Sequence, residues 1–242
     1  MPKQADAIAD RPVVSRDEWI AARKRFLIKE KKFTKLRDEL SRERRDLPWV
    51  RVEKGYTFEG PDGRETLPQL FAGRSQLVVY HFMFDPAWEA GCKSCSFWAD
   101  SFERNVVHLN QRDVTLVAVS SAPLAKLEAF RERMGWTFKW VSCAGGDFNR
   151  DYHVSFAPEQ LAGGEAEYNY EPRTGAMPEL PGLSVFFQGP AGAVFHTYSC
   201  YARGLDAINA AYQILDLVPK GRDEAGLPYT MAWVRHRDSY GA

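Results

Sequence analysis

The stretch that decides the fold is Leu77-Val78-Val79-Tyr80-His81-Phe82-Met83-Phe84, followed by the loop Asp85 to Gly91 and then Cys92-Lys93-Ser94-Cys95. Eight nearly continuous apolar residues are too few to cross a bilayer. The run predicts a buried parallel strand, covered on both faces. After Cys95 the period changes. Cys95, Trp98, Phe102, Val106 and Leu109 recur every three or four residues, which is one stripe of a helix over about 95–110. A Cys-x-x-Cys pair therefore sits where a central strand gives way to a helix.

That position has chemical consequences. The first turn of a helix carries backbone N–H groups without internal partners, and its dipole favours negative charge. A thiolate at Cys92 is stabilised there, and Lys93 adds a positive charge beside it. Cys95, three residues on, shares the helical face of Cys92. The stripe puts Cys95 against the core and leaves Cys92 at the rim. An activated thiol next to a shielded one is what thiol–disulfide exchange requires: the first attacks, the second resolves the mixed disulfide. Two other readings stand beside this one. The cysteines are half of a zinc site, although Cys143 and Cys200 are single and distant and no second pair exists; or they are two inert core thiols. His81 and Met83, two apart in a strand, point to one face and with Cys92 and Cys95 make a soft ligand set for Cu(I). The alternative for His81 is a satisfied core histidine.

Composition narrows the classes. The 242 residues are 45% hydrophobic and 26% charged, with a formal net charge of zero. That is an ordinary globular balance with no bulk electrostatic case for nucleic acid or an anionic membrane. No signal peptide or membrane-length apolar run is visible, so the expectation is a cytoplasmic protein, where the four cysteines rest as thiols. No Gly-x-Gly-x-x-Gly or phosphate loop is present, and no cofactor is expected.

The chain divides into a 1–46 extension, a 47–219 domain and a 220–242 tail. Met1 to Val14 read as loosely attached. Ser15-Arg16-Asp17-Glu18 is a capping box that starts a long helix ending before Pro48. Trp19, Phe26, Phe33 and Leu40 fall seven apart on it, with Lys29 and Glu43 breaking the second seam. Either this helix packs narrowly on its own domain, or it is an arm that packs on a second subunit as a homodimer. Trp49 to Phe58 reads as a strand, with a turn at Gly60-Pro61-Asp62-Gly63. Val114 to Val119 is a second buried strand, which makes a βαβ unit with the first. A helix from Ser121 to Met134, stopped by Gly135, leads to a third strand over Thr137–Val141. Residues 157–182, rich in Gly and Pro, show no core pattern and read as an inserted surface loop or lid. Leu183–Phe187 and Ala193–Tyr198 flank a hairpin turn, and Leu205 to Leu215 marks the last helix.

This order resembles the thioredoxin superfamily, and its N-terminal strand pair resembles the alkyl hydroperoxide reductase/thiol-specific antioxidant branch. Several phrases resemble, more closely, a bacterial thioredoxin-like family of unassigned function: Leu47-Pro48-Trp49-Val50, Tyr80-His81-Phe82-Met83-Phe84, Gly91-Cys92-x-x-Cys95, Asp147-Phe148-Asn149-x-Asp151-Tyr152, Phe195-His196-Thr197-Tyr198-Ser199 and Tyr201-Ala202-Arg203-Gly204. The resemblance implies an α/β fold with a central mixed sheet flanked by helices. It also has departures. Peroxiredoxins carry Pro-x-x-x-Thr-x-x-Cys, whereas here Pro86 lies six residues before Cys92 and no Thr or Ser stands between. Thioredoxins have a cis-proline before the strand that starts here near Ser184, where this chain has Leu183, with Pro181 two earlier.

The reading is a cytosolic thiol–disulfide oxidoreductase rather than a peroxidase, with Cys92 as nucleophile and Cys95 as resolver. Its partner is a thiol or disulfide, protein or small molecule. Trp88, Glu89 and Lys93 border the substrate's approach. The alternative is a non-catalytic binding or metal-carrying protein that uses the same cysteines. His153, His196 and Arg203 either approach the site or pair at the surface, and Cys143 and Cys200 are expected as buried bystanders.

Overall fold

The computed structural model describes residues 11–164, 166–175 and 177–241, so most of the N-terminal stretch expected to be loosely attached lies outside the described residues. Ser15 caps the first helix, Arg16–Arg45. Its hydroxyl accepts from the Glu18 N–H, and the Glu18 carboxylate accepts from the Ser15 N–H at 2.9 Å. Thirty residues make an arm about 45 Å long. No residue of it is buried, and Trp19, Phe26, Phe33 and Leu40 are 48%, 56%, 67% and 49% exposed. The expected alternative of a helix packed on its own domain is therefore not what forms. Near its end Arg44 lies over the Tyr198 ring, 4.9 Å from the centroid.

The central sheet has eight strands: β1 (Val50–Arg51), β2 (Thr57–Gly60), β3 (Gly63–Thr66), β4 (Gln76–His81), β5 (Val114–Ser120), β6 (Lys139–Ser142), β9 (Gly182–Gln188) and β10 (Val194–Tyr201), with a separate ribbon of β7 (Glu167–Tyr168) and β8 (Glu171–Pro172). Their order is β1-β10-β9-β4-β5-β6-β2-β3. β4, β5 and β6 are parallel neighbours, as crossover helices dictate. β9 and β10 form the antiparallel hairpin that docks on the other side of β4. The chain has a thioredoxin-like fold: a mixed sheet covered by helices, with the Cys-x-x-Cys after its central strand.

The sheet's period of two sorts its side chains into two cores. Tyr80, Leu116 and Ala118 face a layer that holds Phe82, Cys95, Trp98, Phe102 and Phe130; Leu77, Val79, Val117 and Val119 face a layer with Phe148, Tyr152 and Phe186.

Four expectations on element bounds are corrected. The strand expected over Trp49–Phe58 is two strands, β1 on one edge and β2 near the other. Between them Lys54 donates to Asp147 and Asp151, at 2.9 and 2.6 Å. The central strand ends at His81, not Phe84. The helix expected over 95–110 is two, Lys93–Ala99 and Val106–Asn110. Between them the backbone tightens to bonds three residues apart, such as Ser101 N–H to Trp98 O and Phe102 N–H to Ala99 O, both 2.9 Å. Asp100 there accepts the Trp136 indole N–H at 2.8 Å, and Phe102 turns onto Tyr80. Finally, the 157–182 segment has a footing in the core. Besides the β7–β8 ribbon it forms the helix Pro158–Gly163, and Ala166 and Glu179 are buried.

Candidate active site

Phe82, Met83 and Phe84 leave the sheet and plunge into the core below the Lys93–Ala99 helix. Met83 ties both cysteines with its backbone. Its carbonyl accepts from the Cys92 N–H at 3.1 Å, and its N–H donates to Cys95 Sγ at 3.5 Å. Gly91 is obligatory here: a Cβ would meet Phe82 and Phe130 ring carbons at 2.8 and 2.9 Å. Cys92 is the helix N-cap and is half-buried; Cys95 is 1% exposed. Both are free thiols.

Their environments push the two sulfurs apart. The hydrogen bond from the Cys95 thiol draws the Cys92 thiol down from 9.0 to about 7; the backbone N–H groups of Cys95 and Ser94 help, and burial opposes. Burial, reinforced by the neighbouring Cys92 sulfur, pushes the Cys95 thiol well above its ordinary range. One thiol is poised to be a thiolate near neutrality while its neighbour holds a proton.

The other sequence-selected residues are distributed as follows. Trp88 is half-buried and Glu89 exposed, on a loop pinned by Lys126, which donates to the Pro86 and Trp88 carbonyls at 2.7 and 3.0 Å. Lys93 reaches outward, its ammonium 3.5 Å from the Ala232 carbonyl and 5.9 Å from the Tyr229 ring centroid. Arg203 borders a cavity of about 570 Å³ that reaches Cys95. His153 is exposed, and Cys143 is buried on the opposite layer, whereas Cys200, expected to be buried, is only half-buried.

His81 and Met83 are not brought together. Strand β4 ends between them, so Met83 faces Cys95 while the His81 ring stacks on Phe148 and Tyr152 in the other layer. The Asn149 amide oxygen, which only accepts, lies 2.9 Å from His81 Nδ1, so that nitrogen carries the proton. Nε2 then accepts from the Ser184 hydroxyl at 2.9 Å. Burial draws the ring down to about 4, so it stays neutral with both nitrogens engaged. The chain of hydroxyls continues through Ser199, 2.8 Å from Ser184, to His196 Nε2 at 2.7 Å. His81 is thus a satisfied core histidine, and among the described residues no three His, Cys, Asp or Glu side chains gather into a metal site.

The aromatics Tyr229, Trp233 and Tyr240 mark the polar tail as a segment that docks, and it does; three details escaped sequence reasoning, namely where it docks, what locks it and a buried hydroxyl beside the cysteines. The C-terminal tail packs on the cysteine helix: His236 Nε2 donates to the Gly91 carbonyl at 2.8 Å, and Trp233 packs on Phe97 at 5.4 Å. Glu224 locks the tail by accepting from the Tyr212 hydroxyl, the Met231 N–H and the Trp233 indole at 2.7, 2.9 and 2.7 Å. Tyr80, read as core, carries a buried hydroxyl without a hydrogen-bond partner at the cavity floor. A phenol in an otherwise apolar strand was the available signal for the last; the tail's aromatics signal that it docks, but nothing local marks the place or the Glu224 lock.

The sequence pattern of a bacterial family described as a protein of unknown function, DUF899, matches residues 8–240. A search of curated proteins returned no match. Among solved structures, peroxidoxin BcpB from Mycobacterium tuberculosis is similar at 15% identity, over 69% of this chain and 97% of that one, with a TM-score of 0.47. A variant of peroxiredoxin Q from Xanthomonas campestris is similar at 17% identity, over 65% and 90%, with a TM-score of 0.41. The bacterioferritin comigratory protein of Xanthomonas campestris is similar at 15% identity, over 69% and 96%, with a TM-score of 0.44. No helix among the described residues is long and apolar enough to cross a membrane.

Proposed function

The chain belongs to the bacterial DUF899 family, and from that premise we propose that it is a thiol–disulfide oxidoreductase of the cytoplasm, with Cys92 as nucleophile and Cys95 as resolving thiol. The observation that carries the reading is the pairing of a half-buried thiol drawn down to about 7 with a buried thiol pushed up. In the first step the Cys92 thiolate attacks one sulfur of a substrate disulfide. A Cys92–substrate disulfide forms, and the other half of the substrate leaves as a thiolate that takes up a proton. In the second step Cys95 gives up its proton and its sulfur attacks Cys92 Sγ. The Cys92–Cys95 disulfide forms and the second substrate thiol leaves. Two electrons pass from the cysteine pair to the substrate.

The surroundings support exchange over peroxide reduction. The loop from Ala87 to Gly91 offers no hydroxyl side chain to hold a peroxide beside Cys92. Trp88 and Glu89 on that loop, with Lys93 on the helix, border the substrate's approach. The metal-carrying reading loses one of its four expected ligands, because His81 is engaged elsewhere.

The test is mild oxidation followed by mass spectrometry. The expected result is an intramolecular Cys92–Cys95 disulfide that dithiothreitol reverses and that exchanges with a small disulfide. A protein that keeps both thiols free under oxidation, with Cys92 titrating as an ordinary thiol, overturns the proposal.

A further inference from the structure

Tyr80 poses a question that packing does not answer. Its ring is completely buried and packs edge-on against Phe102 at 4.9 Å and Phe82 at 6.2 Å. A phenylalanine would make the same contacts, and the chain places phenylalanine two and four residues on, at 82 and 84. The oxygen is therefore the part that needs a reason. By distance and angle it makes no full hydrogen bond among the described residues, and the Cys95 sulfur is the side chain near enough to take one; a buried hydroxyl left short of a partner costs free energy.

The place of that hydroxyl supplies the reason. It lies on the floor of the 570 Å³ cavity together with Met83, Ser94 and Cys95. The sulfurs of Cys95 and Cys92 are among its ionisable neighbours, and burial keeps the phenol protonated. In the dithiol state the Cys95 sulfur is a weak acceptor that takes the Met83 N–H at 3.5 Å, while its own proton is engaged with Cys92. During resolution Cys95 must lose that proton inside the core. A buried thiolate without donors is strongly disfavoured. Met83 supplies one backbone N–H and Ser94 serves Cys92, so the phenol is the side-chain donor held in reserve at the cavity floor.

We propose that the Tyr80 hydroxyl donates a hydrogen bond to the Cys95 sulfur while that sulfur is a thiolate, which makes Tyr80 a positioning residue for the resolving step. The proposal rests on the exchange reading above. As Cys95 deprotonates, its sulfur accepts the phenolic O–H; as the sulfur bonds to Cys92 Sγ its charge disappears and the hydroxyl is released. Tyr80 itself neither gains nor loses a proton.

The other ionisable groups around the cavity are already committed. At its mouth Asp206 pairs with Arg203 at 3.2 Å and Arg222 at 2.8 Å, Arg222 pairs with Asp216 at 2.8 Å, and Glu224 holds the tail. The Tyr168 hydroxyl donates to the Pro181 carbonyl at 2.7 Å and accepts from the Ala202 N–H at 2.9 Å. Lys93 points to Ala232. None of these is free to replace Tyr80 at Cys95.

The test compares the wild type with Tyr80→Phe, using dithiodipyridine as the disulfide probe. Release of the first thiopyridone reports formation of the mixed disulfide at Cys92. Release of the second reports attack by Cys95, and peptide mass spectrometry assigns the sulfurs. In Tyr80→Phe the first step keeps its rate. The second slows about tenfold, its pH profile moves about one unit to the alkaline side, and the mixed disulfide accumulates. Thermal stability does not fall, because the substitution removes an unpaired group. A second step with unchanged rate and unchanged pH profile overturns the role of Tyr80 and leaves the exchange reading standing. A wild type that never releases the second thiopyridone overturns the exchange reading, and this inference with it.

Discussion

The ionisation of Cys92 is the sharpest quantity the site offers. Its thiol is drawn from 9.0 to about 7, so at pH 7 about half of it is thiolate, against about one part in a hundred for an unperturbed thiol, a roughly fiftyfold gain in reactive species. Nucleophilicity falls with basicity. With a Brønsted coefficient of about 0.45, two units cost about eightfold, which leaves a net acceleration of about sixfold at pH 7. The assay is the rate of iodoacetamide alkylation at Cys92, followed by peptide mass spectrometry from pH 5 to about 10. The expected profile has its midpoint near 7. The largest cause of the lowering is the hydrogen bond from the Cys95 thiol, so Cys95→Ala should raise the midpoint by at least about one unit. A wild-type midpoint at or above about 8.5 would refute the activated thiol. A midpoint left near 7 in Cys95→Ala would refute the thiol–thiol bond as its source.

Other outcomes follow from the same geometry. Glu179 is 3% exposed, and burial pushes its carboxyl from 4.5 to about 7. Its contribution to stability is thus present below pH 4.5 and lost as pH rises through 7, about 3 kcal/mol by linkage. Glu179→Gln should flatten the difference between urea-unfolding free energies at pH 5 and pH 8 by about that amount. His81→Leu leaves the Asn149 oxygen and the Ser184 hydroxyl short of partners in the core and should cost about 3 kcal/mol of stability, while the Cys92 alkylation midpoint does not move; a shifted midpoint would tie His81 to the thiols after all. His236→Ala frees the tail from the Gly91 carbonyl, and Cys92 should alkylate severalfold faster with the same midpoint. The exposed aromatic rhythm of the Arg16–Arg45 helix predicts a dimer by light scattering that becomes a monomer when residues 1–46 are removed, and a monomeric particle both with and without them would remove that role from the helix.

Much of the fold was legible because it is written in short-range chemistry. The capping box at Ser15 and Glu18, the apolar runs of β4 and β5, Gly135 as a left-handed helix stop and the hairpin of β9 and β10 each follow from neighbours in the chain. The positions of Cys92 at the rim and Cys95 in the core follow from the helical stripe in the same way. The missed bounds have long-range causes. The helix after Ala99 breaks where Asp100 meets an indole 36 residues away, and the stretch after Trp49 splits because Lys54 is captured by carboxylates more than 90 residues on.

By itself, then, the sequence determined the kind and order of the main strands and helices and where the two thiols stand on theirs, since periodicity and capping are properties of neighbouring residues. Only the tertiary structure decided what surrounds those thiols. It turned Met83 toward Cys95 and His81 away from it, laid the tail across Gly91, and left the Tyr80 hydroxyl unpaired beside a sulfur. The reason is physical: burial and hydrogen-bond partnership, which set the reactivity of a thiol, depend on groups that the chain brings together from far apart only when the core closes.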